Sequence, residues 1–155
     1  MPGKSEIITI LIGASPILEL RWAIPYAIAQ KISPPGAYIL SVIGNMVPVI
    51  PLFFIFDFLF TKLKKVKYIG SFLSWWFAKI EKKSKFIQTY GFLGLIIFVA
   101  IPLPTSGAWT GTLAARLLRF NIYKTVCGVF VGVLIAGLII LSATQGIIRI
   151  CFLTH

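Results

Sequence analysis

Glu19 and Arg21 are the residues of this chain best suited to chemistry. They stand in an otherwise uncharged segment, Pro16-Ile17-Leu18-Glu19-Leu20-Arg21-Trp22-Ala23-Ile24-Pro25. In an apolar, lipid-like setting an ionisable side chain costs about 2.5–3.5 kcal/mol on insertion scales. The two therefore need each other or a water-filled cavity. Burial and a nearby cation pull a carboxylate's protonation in opposite directions, which places Glu19 to take up and release a proton. Residues two apart on one helix face away from each other, so a direct pair calls for unwound backbone. The bland alternative is a neutralised pair that only holds a loop.

A second segment, Ile101-Pro102-Leu103-Pro104-Thr105-Ser106-Gly107, carries no charge but offers other groups. Pro102 and Pro104 remove two backbone donors and push the residues before them away from helical angles. Carbonyls are freed, the Thr105 and Ser106 hydroxyls are available, and the helix that starts after Gly107 presents an N-terminus, which attracts anions. A tight turn that binds nothing is the plainer reading. Arg116 and Arg119 follow at the return to the interface; snorkelling to headgroups accounts for both, and Arg116 is also placed to reach a phosphate. Asn45, between Gly44 and Pro48, reads as a polar cavity residue or as a helix-packing contact. Asp57, near the end of its helix, reads as an interfacial partner for a lysine.

The remaining chemistry is sparse. His155 is the only histidine and ends the chain, which leaves no imidazole for a nucleophile–base pair or a zinc or haem site. The phosphate-cradling pattern GxxxxGK[ST] is missing. Cys127 and Cys151 lie in apolar surroundings without a CxxC spacing, as packing residues do. No enzymatic activity, cofactor or metal is expected.

The elements that must position these residues are apolar blocks. The 155 residues are 58% hydrophobic and 12% charged, against roughly 25% charged in a soluble domain. Phe86–Ala115 and Thr125–Ile148 contain no Asp, Glu, Lys or Arg, and a spanning helix needs about 20 apolar residues. Four blocks emerge: Ser5–Lys31, Gly36–Thr61, Phe86–Leu118 and Thr125–Ile148. The second and fourth read as spanning helices, the second bent at Pro48 and Pro51. The first is interrupted at Gly13-Ala14-Ser15-Pro16 and again at Pro25; the third is interrupted at Pro102–Gly107, with helix from Phe86 to Ala100 and from Ala108 to Arg119. Half-helices of about 12 to 15 residues reach roughly 18 to 22 Å, short of the ~30 Å hydrocarbon core. Both broken blocks are therefore expected to be re-entrant hairpins.

Hairpin, spanning helix, basic connection, hairpin, spanning helix is an internal repeat. Setting Pro16 against Pro102 also matches Ala14 with Ala100 and Ala29 with Ala115. One span per copy makes the second enter from the opposite side, the inverted build common in secondary transporters. The expected fold is an all-α integral membrane domain over 1–155: repeat 1 over about 5–61, a basic connection over about 62–85 and repeat 2 over about 86–150. Lysines 62, 64, 65, 67, 79, 82, 83 and 85 share a side with Arg116, Arg119 and Lys124, whereas the other side holds Lys4, Lys31 and Arg149. The positive-inside rule puts the connection in the cytoplasm of a multi-pass plasma-membrane protein and both termini outside. Within the connection Ile69, Phe72, Leu73, Trp76, Phe77 and Ile80 recur at helical spacing opposite charged residues, an amphipathic interfacial helix anchored by Trp75 and Trp76. The basic charge is assigned to membrane lipids with anionic headgroups, and nucleic acid is not an expected partner. Gly128, Gly132, Ala136 and Gly137 permit close helix approach, and a homodimer is expected.

The segment Pro16–Pro25 resembles the PxxExRxAIP element of the putative small multidrug export protein family. Phe98-Val99-Ala100-Ile101-Pro102-Leu103-Pro104-Thr105-Ser106-Gly107-Ala108-Trp109-Thr110-Gly111 resembles that family's second element. The resemblance covers nearly the whole chain, with Trp22 where the family usually has glycine. That family is similar in expected fold to the DedA proteins, which have two re-entrant hairpins and are associated with translocation of polyprenyl phosphate or phospholipid. The resemblance implies Glu19, Arg21, Pro25, Pro102, Pro104 and Gly107 as site positions. The expected function is transport of small-molecule or anionic substrates coupled to a proton or ion gradient. The alternatives are a DedA-like flippase or scramblase of phospholipid or polyprenyl phosphate, and a membrane scaffold that transports nothing.

Overall fold

A computed structural model describes residues 2–62, 87, 89–102 and 107–153. Every element among them is an α-helix. They are α1 Pro2–Ala14, α2 Glu19–Ala29, α3 Pro34–Met46, α4 Val49–Lys62, α5 Thr89–Ala100, α6 Ala108–Leu117 and α7 Ile122–Leu153. Two stretches are long and apolar enough to cross a membrane, Pro34–Phe56 and Ile122–Ile147. Both keep large apolar side chains exposed along their length, among them Ile39, Ile43, Ile50 and Phe54 on the first and Phe130, Ile135, Leu138 and Ile139 on the second. Apolar faces this extensive on helices of this length are what lipid would cover. The interfacial helix expected over the basic connection lies outside the described residues.

The chain divides into two compact units. One comprises Met1–Pro48 with Val133–His155. In it α1 and α2 form a hairpin whose helices both pack on α3, around Leu20, Ala23, Ile24, Ala27, Ala37 and Val42. The hairpin tip is stapled by the Ser15 hydroxyl, which accepts hydrogen bonds from the backbone N–H groups of Ile17 (3.4 Å) and Leu18 (3.3 Å). The expected second interruption at Pro25 does not occur: α2 runs through it. Proline deletes one backbone donor, and the neighbouring Ala23, Ile24 and Ala27, all fully buried, hold the helix in place, as packed neighbours do in membrane bundles. Tyr38 of α3 donates a hydrogen bond to the Leu134 carbonyl of α7 at 3.0 Å, and its ring covers Gly137 of α7.

The other unit, Val49–Gly132, holds α4, α5, α6 and the start of α7. The helix is interrupted at Val47–Pro48, between α3 and α4, while Pro51 falls in the first turn of α4, where a missing N–H is harmless. Val99 packs on Gly111 and Gly132, and Leu95 on Gly128. Gly128, Gly132 and Gly137, read from sequence as surfaces for close approach, are thus used within the chain.

α2 and α6 end in the same kind of turn. Lys31 and Arg119 both adopt left-handed angles, φ 62 and φ 59. In each case the basic residue and its successor bond back over the helix end: Lys31 N–H to Ile28 O and Ile32 N–H to Ala27 O, then Arg119 N–H to Arg116 O and Phe120 N–H to Ala115 O, all 2.9–3.0 Å. This is the Schellman pattern. In this turn Ala115 holds the place that Ala27 holds, whereas the sequence alignment sets Ala115 against Ala29; four residues separate α1 from α2 and seven separate α5 from α6.

Candidate functional site

Glu19 is the first residue of α2, and its side chain is buried. A carboxylate in the first turn of a helix is favoured by the positive end of the helix dipole. Its backbone is left-handed, φ 50, uncommon for a residue with a long side chain and held by the Glu19 N–H bond to Ser15 O at 3.2 Å. Arg21, half-buried two residues on in the same first turn, feels the Glu19 charge. Both residues belong to α2, and the backbone departs from helical angles at Glu19 itself. Pro25 is half-buried within α2.

α3 runs antiparallel to α2, so its C-terminal end meets the hairpin tip. A β-carbon on Gly13, next to the tip, would lie 3.0 Å from Ser41 O and 3.3 Å from Asn45 N. At this level Asn45 and Ser41, one turn apart on a single face of α3, are completely buried. Among the described residues neither Asn45 Oδ1, Asn45 Nδ2 nor Ser41 Oγ has a hydrogen-bond partner. Leaving a buried polar group unsatisfied costs about 1–3 kcal/mol. On α1, Thr9 is equally buried and donates to Ser5 O at 2.7 Å. The first unit thus brings Glu19, Arg21 and Asn45 to one end of a three-helix cluster. Ser41 and Thr9 escaped the sequence reading; the signal that could have found Ser41 is its i, i+4 spacing to Asn45 in an apolar span.

In the other unit Pro102 is half-buried just beyond α5, and Gly107 is buried before α6. Pro104, Thr105 and Ser106 lie outside the described residues. Gly107 donates its N–H to Thr110 Oγ1 at 3.0 Å, and Thr112 Oγ1 donates to Ala108 O at 2.6 Å, so the start of α6 is tied down by its own threonines. Arg116 holds its guanidinium 5.5 Å from the Phe53 ring of α4, a cation–π contact of about 0.5–2 kcal/mol. Among the described residues no three His, Cys, Asp or Glu groups gather where a metal could bind.

No curated protein and no solved structure matches the chain significantly. The sequence profile described as Putative small multi-drug export protein matches residues 19–139, from the first residue of α2 into α7. A membrane protein with two apolar spans whose sequence carries that profile over most of its length points to transport rather than enzymatic catalysis. The chain belongs to the small multi-drug export protein family.

Proposed function

We propose that this chain is a multi-pass plasma-membrane transporter of inverted-repeat build, in which the tip of the first hairpin couples substrate movement to a proton or ion gradient. The observation that carries the reading is Glu19: a buried carboxylate with left-handed backbone, next to Arg21, at a helix start. Backbone strain of this kind is concentrated at functional positions. Its depth agrees. The tip packs at the level of Asn45, midway along Pro34–Phe56. With 13 residues in α1 and 11 in α2, the arms reach about 16–20 Å, which supports a re-entrant hairpin ending near the bilayer midplane. The second hairpin repeats the relation, with Val99 and Ile96 O against Gly132 inside Ile122–Ile147. Small-molecule or anionic solutes are the substrate class, and a homodimer is the assembly to test by sizing in nanodiscs.

A DedA-like flippase or scramblase of phospholipid or polyprenyl phosphate is the second reading, favoured by the lysine-rich connection, which suits anionic headgroups. Purified protein in proteoliposomes, assayed with lipid and soluble substrates with and without an imposed pH gradient, separates them. Gradient-dependent uptake supports coupled transport; lipid redistribution that ignores the gradient supports scrambling and sinks the first reading.

A further inference from the structure

The first hairpin with α3, and α5 and α6 with α7, share several landmarks. Lys31 and Arg119 mark the same turn, and Ser33 and Asn121 accept the same following bond, from Ala37 N–H at 2.8 Å and Thr125 N–H at 3.0 Å. Farther along, Gly44 receives the Ile10 carbonyl as Gly132 receives that of Ile96. In this register Ser41 and Asn45 stand where Val129 and Val133 stand, and Thr9 where Leu95 stands. All six positions are fully buried. The second copy shows what the scaffold needs there, which is an apolar side chain. Polar groups at those positions in the first copy are therefore not demanded by the fold.

We infer that Ser41 and Asn45, with Thr9 beside them, form a binding position in the first copy for an uncharged group that both donates and accepts hydrogen bonds, such as the hydroxyl or carboxamide end of a solute. The chemistry sets the class. Asn45 offers one acceptor and two donors, and Ser41 one donor and two lone pairs. A bare cation would leave the Asn45 Nδ2 hydrogens unsatisfied, and a bare anion would leave Oδ1 unsatisfied. In the second copy Leu95 and Val129 both reach the β-carbon position of Gly111, at 3.8 and 3.7 Å, so the matching wall there is closed by hydrocarbon. The inference deepens the transporter reading and rests on it only for the word solute.

The test is thiol accessibility in the full chain, on a Cys127→Ser/Cys151→Ser background in membrane vesicles. Ser41→Cys and Asn45→Cys should react with 2-aminoethyl methanethiosulfonate at least about tenfold faster than Val129→Cys and Val133→Cys, since only a hydrated thiol ionises. Equal rates across the four would overturn the site. Acetamide, as the carboxamide probe, should slow labelling of Ser41→Cys; labelling that acetamide leaves unchanged would overturn the ligand class. Ser41→Val/Asn45→Val, which copies the second repeat, should fold with an unchanged or higher melting temperature, and a lower one would show that these groups hold the fold. Because labelling needs no substrate, a failure of gradient-driven uptake with labelling as expected would remove the coupled-transport reading and leave the site.

Discussion

Gly44 of α3 lies against the backbone carbonyl of Ile10 on α1, so close that a β-carbon at 44 would overlap that oxygen and its carbon. Both partners are helix backbone and neither can rotate away. Alanine at 44 must push α1 off α3, and overpacking of this kind costs about 1–3 kcal/mol. Gly146, on α7, has open space where its β-carbon would go, and a helix gains roughly 0.5–1 kcal/mol from alanine in place of glycine. Gly44→Ala should therefore lower the melting temperature and Gly146→Ala should hold or raise it, measured by thermal denaturation in the same detergent. Equal behaviour would contradict the close crossing.

Arg116 and Phe53 give a local test of the second unit. Replacing either removes the cation–π contact, and Arg116→Met keeps most of the side-chain length. Each single change should cost stability, and the pair Arg116→Met/Phe53→Leu should cost less than the sum, with a coupling of about 0.5–2 kcal/mol. Full additivity in a double-mutant cycle would mean that the ring and the guanidinium do not interact.

The sequence made the strongest features readable because they rest on composition and covalent geometry. Charge-free runs of sufficient length underlie Pro34–Phe56 and, from Thr125 on, Ile122–Ile147, and α5 ends at Ala100, before the break expected at Pro102. Glu19 was legible because an acid is expensive in an apolar run. Pro25 misled, since whether one missing hydrogen bond breaks a helix depends on packing around Ala23 and Ala27 that no local pattern shows. The partners of Gly132 and Gly137 were equally invisible: a small residue announces a close approach without naming what approaches. Ser41 gave no signal by itself, and its weight comes from being buried beside Asn45 with its hydroxyl unpartnered among the described residues.

The orientation is open to a labelling experiment. Charge counting places the connection and the Arg116–Lys124 return on the cytoplasmic side. In intact cells an impermeant maleimide should leave single cysteines at Ser84 and Lys124 unlabelled, and both should label once the membrane is opened. If the block around Pro102 is re-entrant, a cysteine at Ser106 should label more slowly than one at Ser84. Labelling of Ser84 from outside intact cells would reverse the assigned topology.

The sharpest prediction concerns Glu19. If its carboxylate carries the proton, Glu19→Gln should abolish dependence of uptake on the pH gradient while the protein still inserts and melts near the parent temperature. The amide keeps the size and a hydrogen-bonding end but cannot ionise. Glutamine also takes no more kindly than glutamate to a left-handed backbone, so the strain at this position is the same in both proteins. Arg21→Gln removes the cation that acts on Glu19 and should displace the pH profile of uptake rather than eliminate it. A purely structural pair behaves otherwise: each substitution leaves the opposite charge half-compensated in an apolar setting, and yield and melting temperature fall together. Measuring uptake against pH alongside thermal stability for both variants separates the two cases. Undiminished gradient-driven uptake by well-folded Glu19→Gln would rule out Glu19 as the proton carrier, whatever the rest of the hairpin does.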